Sequence, residues 1–199
     1  MKRFAFLLLC VVCSGLQAQD TKAEKPADTK PAEAKADAKP VTMELAGGKI
    51  VLKAPAEWKQ VKPKFDIINY EFNYPADAKA GEAPVRVTVS GATGGVEANM
   101  DRWFTQFSQP DGKATKDMSK VEKFEASGLK VTFVTIPGTF AEMSFGGKAP
   151  AKKEKYMMLG GIIETKQNGL LFVKLTGPAA DAEKLSEGFV KMLKELEAK

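Results

Sequence analysis

The sequence predicts an α+β domain in which a mostly antiparallel sheet carries a helix on each face, an α/β/α sandwich. Two runs, 68–74 and 85–90, alternate apolar and polar residues, which is typical of half-buried strands. Two further segments, 96–107 and 185–196, place apolar residues along one side of a helix. Because turn signals join most neighbouring strands directly, we expect antiparallel pairing. A single sheet with both helices on one face is the alternative.

The predicted order of elements is β-β-β-α-β-β-β-β-α. A short first strand at 49–53 leads into Pro55, and Trp58 is expected to cap the core. Pro75 ends the second strand because proline cannot donate to the hydrogen-bond ladder. A turn at 110–112 ends the first helix. The four strands that follow fall at 121–126, 129–134, 156–165 and 170–175.

The last two strands carry apolar residues on both faces, which is typical of central strands covered on each side. Asn168-Gly169 between them is a strong hairpin signal. The closing helix begins near Pro178, with acidic residues early and lysines late, as the helix dipole favours. Gly188 inside this helix costs about 1 kcal/mol, which a close approach to the sheet would explain.

Residues 1–18 have the layout of a secretory signal peptide: two basic residues, an apolar run and a small-residue exit at Ala18. We expect cleavage between Ala18 and Gln19, and an exported protein that is periplasmic or secreted. The apolar run at 4–13 is shorter than the about 20 residues that span a bilayer, so no transmembrane segment is expected after cleavage. Lipidation at Cys13 is the alternative, and it would tether an unchanged domain to a membrane.

Residues 19–40 contain no aromatic and no large aliphatic residue, and their lysines balance their acidic residues. Such a segment buries too little apolar surface to order itself, so we expect a disordered low-complexity linker. Residues 41–199 then form a single globular domain. A domain of about 160 residues can be stable through its hydrophobic core, without disulfides.

The composition excludes several kinds of chemistry. The chain has no histidine, and both of its cysteines, Cys10 and Cys13, lie in the expected signal peptide. The mature protein therefore lacks the usual general base, the usual thiol nucleophile and the commonest transition-metal ligands. We expect no catalytic residue, no cofactor and no metal site.

Removal of residues 1–18 lowers the formal net charge from +5 to +3, and Arg86 and Arg102 are the remaining arginines. No nucleic-acid partner is therefore expected.

Several motifs together resemble the PsbP-like fold in their order and spacing, over residues 49–197. They are Pro55-Ala56-Glu57-Trp58, Tyr74-Pro75, Arg102-Trp103-x-x-Gln106-Phe107, Tyr156, Gly160-Gly161-Ile162-Ile163, Gly169, Phe172, Thr176-Gly177-Pro178 and Phe189-x-x-Met192-Leu193. Members of that superfamily include an extrinsic photosystem II subunit, a nuclear import factor that binds a small GTPase, and small exported bacterial proteins. The resemblance implies a fold and, in general, protein binding. The histidine and carboxylate metal ligands of photosynthetic members have no histidine counterpart here, which argues against a photosystem role.

The segment 137–155 is the leading candidate for a functional loop, because long loops in compact domains are often functional or disordered. It is rich in glycine, proline and lysine, and its apolar and basic side chains could dock a protein or an acidic envelope surface. The alternative is a mobile connection whose lysines keep it soluble. The candidate partner loop consists of Phe140, Met143, Phe145, Lys152, Lys153 and Lys155.

These observations predict an exported, non-enzymatic binding or accessory protein of the cell envelope, whose partner is another envelope protein. Its oligomeric state is left open. The alternative is a small carboxylate-based hydrolase, for which Glu142 and Glu164 are candidate acids, or a small-ligand carrier. The glycine-rich turn at 91–95 lacks a complete phosphate-binding signature, and we interpret it as a strand-to-helix turn.

Overall fold

An eight-stranded antiparallel sheet forms the body of the domain in the computed structural model, which describes residues 40–76, 85–142, 151–165 and 169–199. The expected signal peptide lies outside these ranges, together with all but the last residue of the expected linker. Met143 and Phe145 of the candidate partner loop also lie outside them. No helix among the described residues is long and apolar enough to cross a membrane.

The strands and helices are short to medium in length, apart from two long strands in the middle of the chain. The strands are β1 (Val41–Leu45), β2 (Ile50–Ala54), β3 (Lys59–Val61), β4 (Ile68–Tyr74), β5 (Val85–Ala92), β6 (Phe107–Ser108), β7 (Lys120–Ala126), β8 (Leu129–Ala141), β9 (Lys152–Thr165), β10 (Gly169–Pro178) and β11 (Glu197–Ala198). The helices are α1 (Val96–Phe104), α2 (Thr115–Met118) and α3 (Ala179–Lys194).

The main sheet has the strand order β3-β4-β5-β10-β9-β8-β6, and β7 pairs with the first half of β8. Every pairing in it is antiparallel. The predicted α+β class with a mostly antiparallel sheet is therefore confirmed. A separate three-stranded sheet, β1-β2-β11, is an addition that the sequence patterns did not predict.

Helices α1 and α3 pack on opposite faces of the main sheet. Trp103 of α1 lies against Gly160, and Leu193 of α3 lies against Gly161. Because successive strand residues point to opposite faces, these two contacts place the helices on different sides of β9. The predicted α/β/α arrangement holds, and the alternative with both helices on one face does not.

Each face of the sheet has its own hydrophobic core. The core on the α3 face is larger and includes Trp58, which is buried against Phe72 and Phe189 at ring-centroid distances of 5.9 and 6.4 Å. The core on the α1 face centres on Trp103 and Met158. Trp58 therefore has the buried position that the sequence predicted.

The structure differs from the prediction at Gly188, where an added Cβ would meet nothing closer than Pro55 Cγ at 3.9 Å. No close approach to the sheet explains this glycine. The structure also differs in the segment 137–155, whose described residues belong mainly to β8 and β9 rather than to a loop. Pro137 lies within β8 and pairs in register with Met157 of β9. Gln109 Nε2 donates a 2.7 Å hydrogen bond to the Pro137 carbonyl, and the register shifts just beyond Gly138.

The outer strand β7 is exposed along most of its length. Charged side chains of both signs alternate irregularly along it, and Val121 is the exposed apolar residue in its first half. The charged residues are Lys120, Glu122, Lys123 and Glu125. At the other margin of the main sheet, β3 has three residues.

Two adjacent glycines in β9 set the spacing of the layers. A Cβ on Gly160 would lie 2.4 Å from Trp103 Cζ3, and a Cβ on Gly161 would lie 2.7 Å from Leu193 Cδ1. Neither position could hold a larger residue unless the side chain that faces it shifts. Strand β9 therefore has no side chains at the two positions where Trp103 of α1 and Leu193 of α3 pack against it.

We predict that Gly160→Ala lowers the free energy of unfolding by about 1–3 kcal/mol, because the added methyl group overpacks the site against Trp103. Urea unfolding followed by circular dichroism measures the change. Gly91→Ala is the matched control, since Gly91 also lies in a strand and an added Cβ there meets nothing within 4 Å. Equal stability of the two variants would contradict the packing argument.

Candidate functional site

Phe140 of the candidate partner loop belongs to the core on the α1 face. It is half-buried, and its ring packs on Phe107 at 5.1 Å and stacks with Tyr156 at 6.2 Å between centroids. Phe107 and Phe140 are also register partners in the β6–β8 pairing. This aromatic cluster anchors the outer part of the β8–β9 hairpin to the body of the domain, and Phe140 is part of that anchor.

Lys153 is also engaged within the domain. Its Nζ lies 2.9 Å from Glu142 Oε2 and 5.5 Å from the Tyr156 ring centroid. The hydrogen bond from Lys153, opposed by partial burial and assisted by nearby positive charges, holds the pKa of Glu142 below its usual value. Lys152 and Lys155 are exposed and have no ion-pair partner among the described residues. Of the described loop candidates, these two lysines are the ones available to a partner.

A second group of polar side chains lies on the α1 face, beside the part of the sheet that α1 contacts. Register pairs align these side chains on that face: Glu71 with Thr88, Thr88 with Lys174, and Arg86 with Thr176. Alternate residues of the same strands, such as Phe72, Val87 and Val173, enter the core on the α3 face. We call the five residues Glu71, Arg86, Thr88, Lys174 and Thr176 the polar floor.

Glu71 is the buried carboxylate of the polar floor, with 2% of its surface exposed. Arg86 binds it through Nε at 2.8 Å to Oε1 and Nη2 at 3.1 Å to Oε2, and the backbone N–H of Lys64 donates to Oε2 at 3.1 Å. Burial alone would raise the pKa of Glu71, but these hydrogen bonds and the positive charges of Arg86 and Lys64 outweigh it and lower the pKa. Glu71 is thus an ionised group that orients Arg86.

Lys174 has neutral partners. Its Nζ lies 5.3 Å from the Trp103 ring centroid, a cation–π contact, and 3.5 Å from Gln106 Oε1. No carboxylate of the described residues lies within 4.0 Å of this ammonium group. Loss of hydration, with a further contribution from the nearby Arg86 charge, lowers the pKa of Lys174 to about 8.

The candidate acids Glu142 and Glu164 do not form a pair. Glu142 lies beside the start of β9, where its N–H bonds the Ala151 carbonyl at 3.0 Å, and Glu164 lies near the other end of the strand. Twelve strand residues at about 3.3 Å each separate these positions by about 40 Å, far beyond the spacing that glycosidases use. Glu142 lies beside one end of β9 and Glu164 near the other end, so these two residues cannot act as a carboxylate pair.

Other candidate positions show no converging reactive groups. The turn at 91–95 is held by Asn99, whose Nδ2 donates to the carbonyls of Thr93 and Gly95. An open cleft of about 570 Å³ on the α3 face is lined by Phe133, Met157 and Leu159, with Glu122 and Glu183 among its other lining residues. Both glutamates are exposed, unlike the buried acid that donates a proton in hydrolases. Within the described ranges, no three potential metal ligands cluster.

The comparisons with known proteins concern the fold. No family model matches the chain, and no curated protein matches it. Among solved structures, the chain is similar to the solution structure of cyanobacterial PsbP (CyanoP) from Synechocystis sp. PCC 6803. The two are 11% identical, the match covers 88% of this chain and 100% of that chain, and the TM-score is 0.49.

We predict that Arg86→Met destabilises the protein by about 3 kcal/mol at neutral pH, because it leaves the Glu71 carboxylate buried without its partner. The folded-state pKa of Glu71 is lowered, so the stability that this carboxylate contributes is present above its ordinary pKa of 4.5 and is lost as the pH falls through the folded-state value. The difference between wild type and Arg86→Met should therefore shrink in acid. Urea unfolding at neutral and acidic pH measures it.

The double variant Glu71→Met/Arg86→Met is the control for this prediction. Replacement of both partners by apolar groups should recover most of the lost stability. A double variant as unstable as Arg86→Met at neutral pH would contradict the assignment of the loss to an unpaired carboxylate.

Proposed function

We propose that the chain is an exported, non-enzymatic binding protein of the cell envelope, which engages another envelope protein through the β8–β9 hairpin and the sheet edge beside it. The observation that carries this proposal is the exposure of Lys152 and Lys155 on a hairpin that the Phe107–Phe140–Tyr156 cluster anchors. A docking element held in place by core contacts loses little conformational freedom on binding. The exposed lysines favour a partner with an acidic surface.

The proposal of export depends on the N-terminal sequence, in which basic residues, an apolar run and small residues follow one another. The proposal of a non-enzymatic role is supported by the composition, which has no histidine and places both cysteines in the expected signal peptide. The wide separation of Glu142 and Glu164 further disfavours the hydrolase alternative. The small-ligand carrier alternative is favoured by a separate observation, the polar floor around Lys174.

We predict that the protein isolated from the envelope fraction begins at Gln19, because Ala18 ends the expected signal peptide. Intact-mass spectrometry of the purified protein tests this. A mass that corresponds to lipidated Cys13 would instead indicate that the exported protein is tethered to a membrane. A full-length chain found in the cytoplasm would contradict export altogether.

We predict that Lys152→Glu/Lys155→Glu weakens partner binding by at least about tenfold, because two attractive charges become repulsive. Crosslinking of the tagged mature protein in its native envelope, followed by mass spectrometry, identifies the partner. The affinity of the purified partner for each variant is then measured by calorimetry.

Lys116→Glu/Lys130→Glu is the matched control for this experiment. Both residues are exposed lysines outside the segment 137–155, and neither has an ion-pair partner among the described residues. The control makes the same change in net charge and should bind with nearly wild-type affinity. Equal losses in the two double variants would indicate general charge attraction and would contradict docking through the hairpin.

A further inference from the structure

We propose that the polar floor on the α1 face binds a small anionic ligand, whose carboxylate or phosphate group is held between Lys174 and Arg86. The site is separate from the exposed hairpin lysines. The residues of the polar floor belong to β4, β5 and β10. Trp103 in the last turn of α1 and Gln106 just after that helix both contact Lys174.

The charges around the polar floor do not balance. Glu71 is its carboxylate, and both Glu71 oxygens are occupied by Arg86 and the Lys64 N–H. Glu142 at the nearby hairpin is paired with Lys153. The ammonium group of Lys174 is therefore left as a positive charge without an anionic partner among the described residues.

The charged form of Lys174 is energetically unfavourable at this position unless an anion pairs with its ammonium group. A desolvated charge is unfavourable without a paired or hydrogen-bonded partner of opposite sign. Gln106 offers one long contact at 3.5 Å, and the Trp103 ring offers a cation–π contact. The lowered pKa of Lys174, about 8, expresses this cost, and a bound anion would raise it.

Further hydrogen-bond donors belong to residues that neighbour Lys174 and Arg86 in the strand register. Arg86 uses Nε and Nη2 to bind Glu71, which leaves the Nη1 side of its guanidinium group without a partner in the described part of the chain. The hydroxyl groups of Thr88 and Thr176, which neighbour Lys174 and Arg86 in the register, have no hydrogen-bond partner there either. An ammonium, a fixed guanidinium and hydroxyl groups are the donors that bind carboxylate and phosphate oxygens.

The size of the ligand is limited by the surroundings. Trp103 is buried, and its ring packs edge-on against Phe172 with 4.9 Å between centroids. The Trp103 ring is therefore held in place beside the polar floor. Lys174 and the threonines are half-buried rather than exposed. The geometry fits the anionic head of a small molecule, with the remainder of that molecule directed towards solvent.

The test uses sodium acetate and inorganic phosphate as probes for the two oxyanion classes, at constant ionic strength. Proton–carbon NMR of the lysine εCH2 groups follows the mature protein during each titration. The Lys174 signal is assigned by its loss in Lys174→Met. We expect a saturable shift of this signal with at least one probe, and a higher Lys174 pKa when the anion is bound.

Lys174→Met should bind the probe at least about tenfold more weakly, because the variant cannot donate a charge-assisted hydrogen bond to the anion. Its fold should be retained, since Met fills a similar volume without a desolvated charge. Lys130→Met is the matched control, because Lys130 is an exposed strand lysine on β8, and it should bind as wild type does.

The pH dependence has a definite sign. Protonated Lys174 binds the anion, so acetate affinity should be constant well below about pH 8 and should fall about tenfold per pH unit well above it. Glu71 and Glu142, which face this region from β4 and the hairpin, have lowered pKa values and stay ionised throughout that range. The other facing charges belong to Arg86, Lys64 and Lys153.

Saturation by acetate alone would identify a carboxylate ligand, and saturation by phosphate alone would identify a phosphate ligand. Either result, when abolished by Lys174→Met, supports the proposal. No saturable shift of the Lys174 signal with either probe overturns it. Unchanged binding by folded Lys174→Met also overturns it. If Lys174→Met does not fold, Lys174→Arg assigns the signal by the same loss, and the wild-type shift with the change in the Lys174 pKa decides.

Discussion

The close packing of two helices on the two sides of Gly160-Gly161 is the constraint on which the rest of the structure depends. Trp103 and Leu193 approach β9 where no Cβ intervenes, so each helix lies nearer to the sheet than ordinary side chains would allow. This packing fixes the depth of α1 as well as that of α3. The position of Trp103 in turn determines the environment of Lys174, whose ammonium group lies over the indole ring. A packing requirement in the central strand therefore sets the electrostatics of a group on the neighbouring strand.

The two faces of the sheet are covered unequally, and this inequality explains where the polar floor lies. Helix α3 has sixteen residues and shares its face with the small sheet, whereas α1 has nine and is about 13 Å long. The strands β4 and β5 carry the polar residues Glu71, Arg86 and Thr88 towards the α1 face. Their apolar residues enter the other core. The amphipathic pattern of these strands thus combines a fully covered core with a half-covered polar surface.

The architecture could be predicted from the sequence where its elements are long enough to show a period. The alternation in β4 and β5, the apolar strands β9 and β10, and the one-sided helices led to the correct class and layering. The strand at 49–53 was predicted, but its partners β1 and β11 are too short to show a readable period, so the small sheet was missed. Pro137 and Gly138 suggested a loop, but tertiary contacts from Gln109 and β6 keep them in β8.

Lys174 was missed for another reason. A lysine between apolar residues predicts an outward-facing position, and no local pattern indicates that Trp103 lies above it. The apolar strand around Lys174 was the signal that could have drawn attention to it.

The charged outer strand β7 limits how another chain can join this sheet. An unpaired strand margin is a template for the backbone of a second protein, and charged side chains make such pairing unfavourable. Lys120, Glu122, Lys123 and Glu125 are distributed along β7, and β3 at the opposite margin is too short to template a stable addition. Backbone augmentation, the mode by which many sheets capture extended peptides, is thus discouraged at both margins. Another chain would then contact the main sheet through side chains, which can be altered singly without disturbing the ladder beneath them.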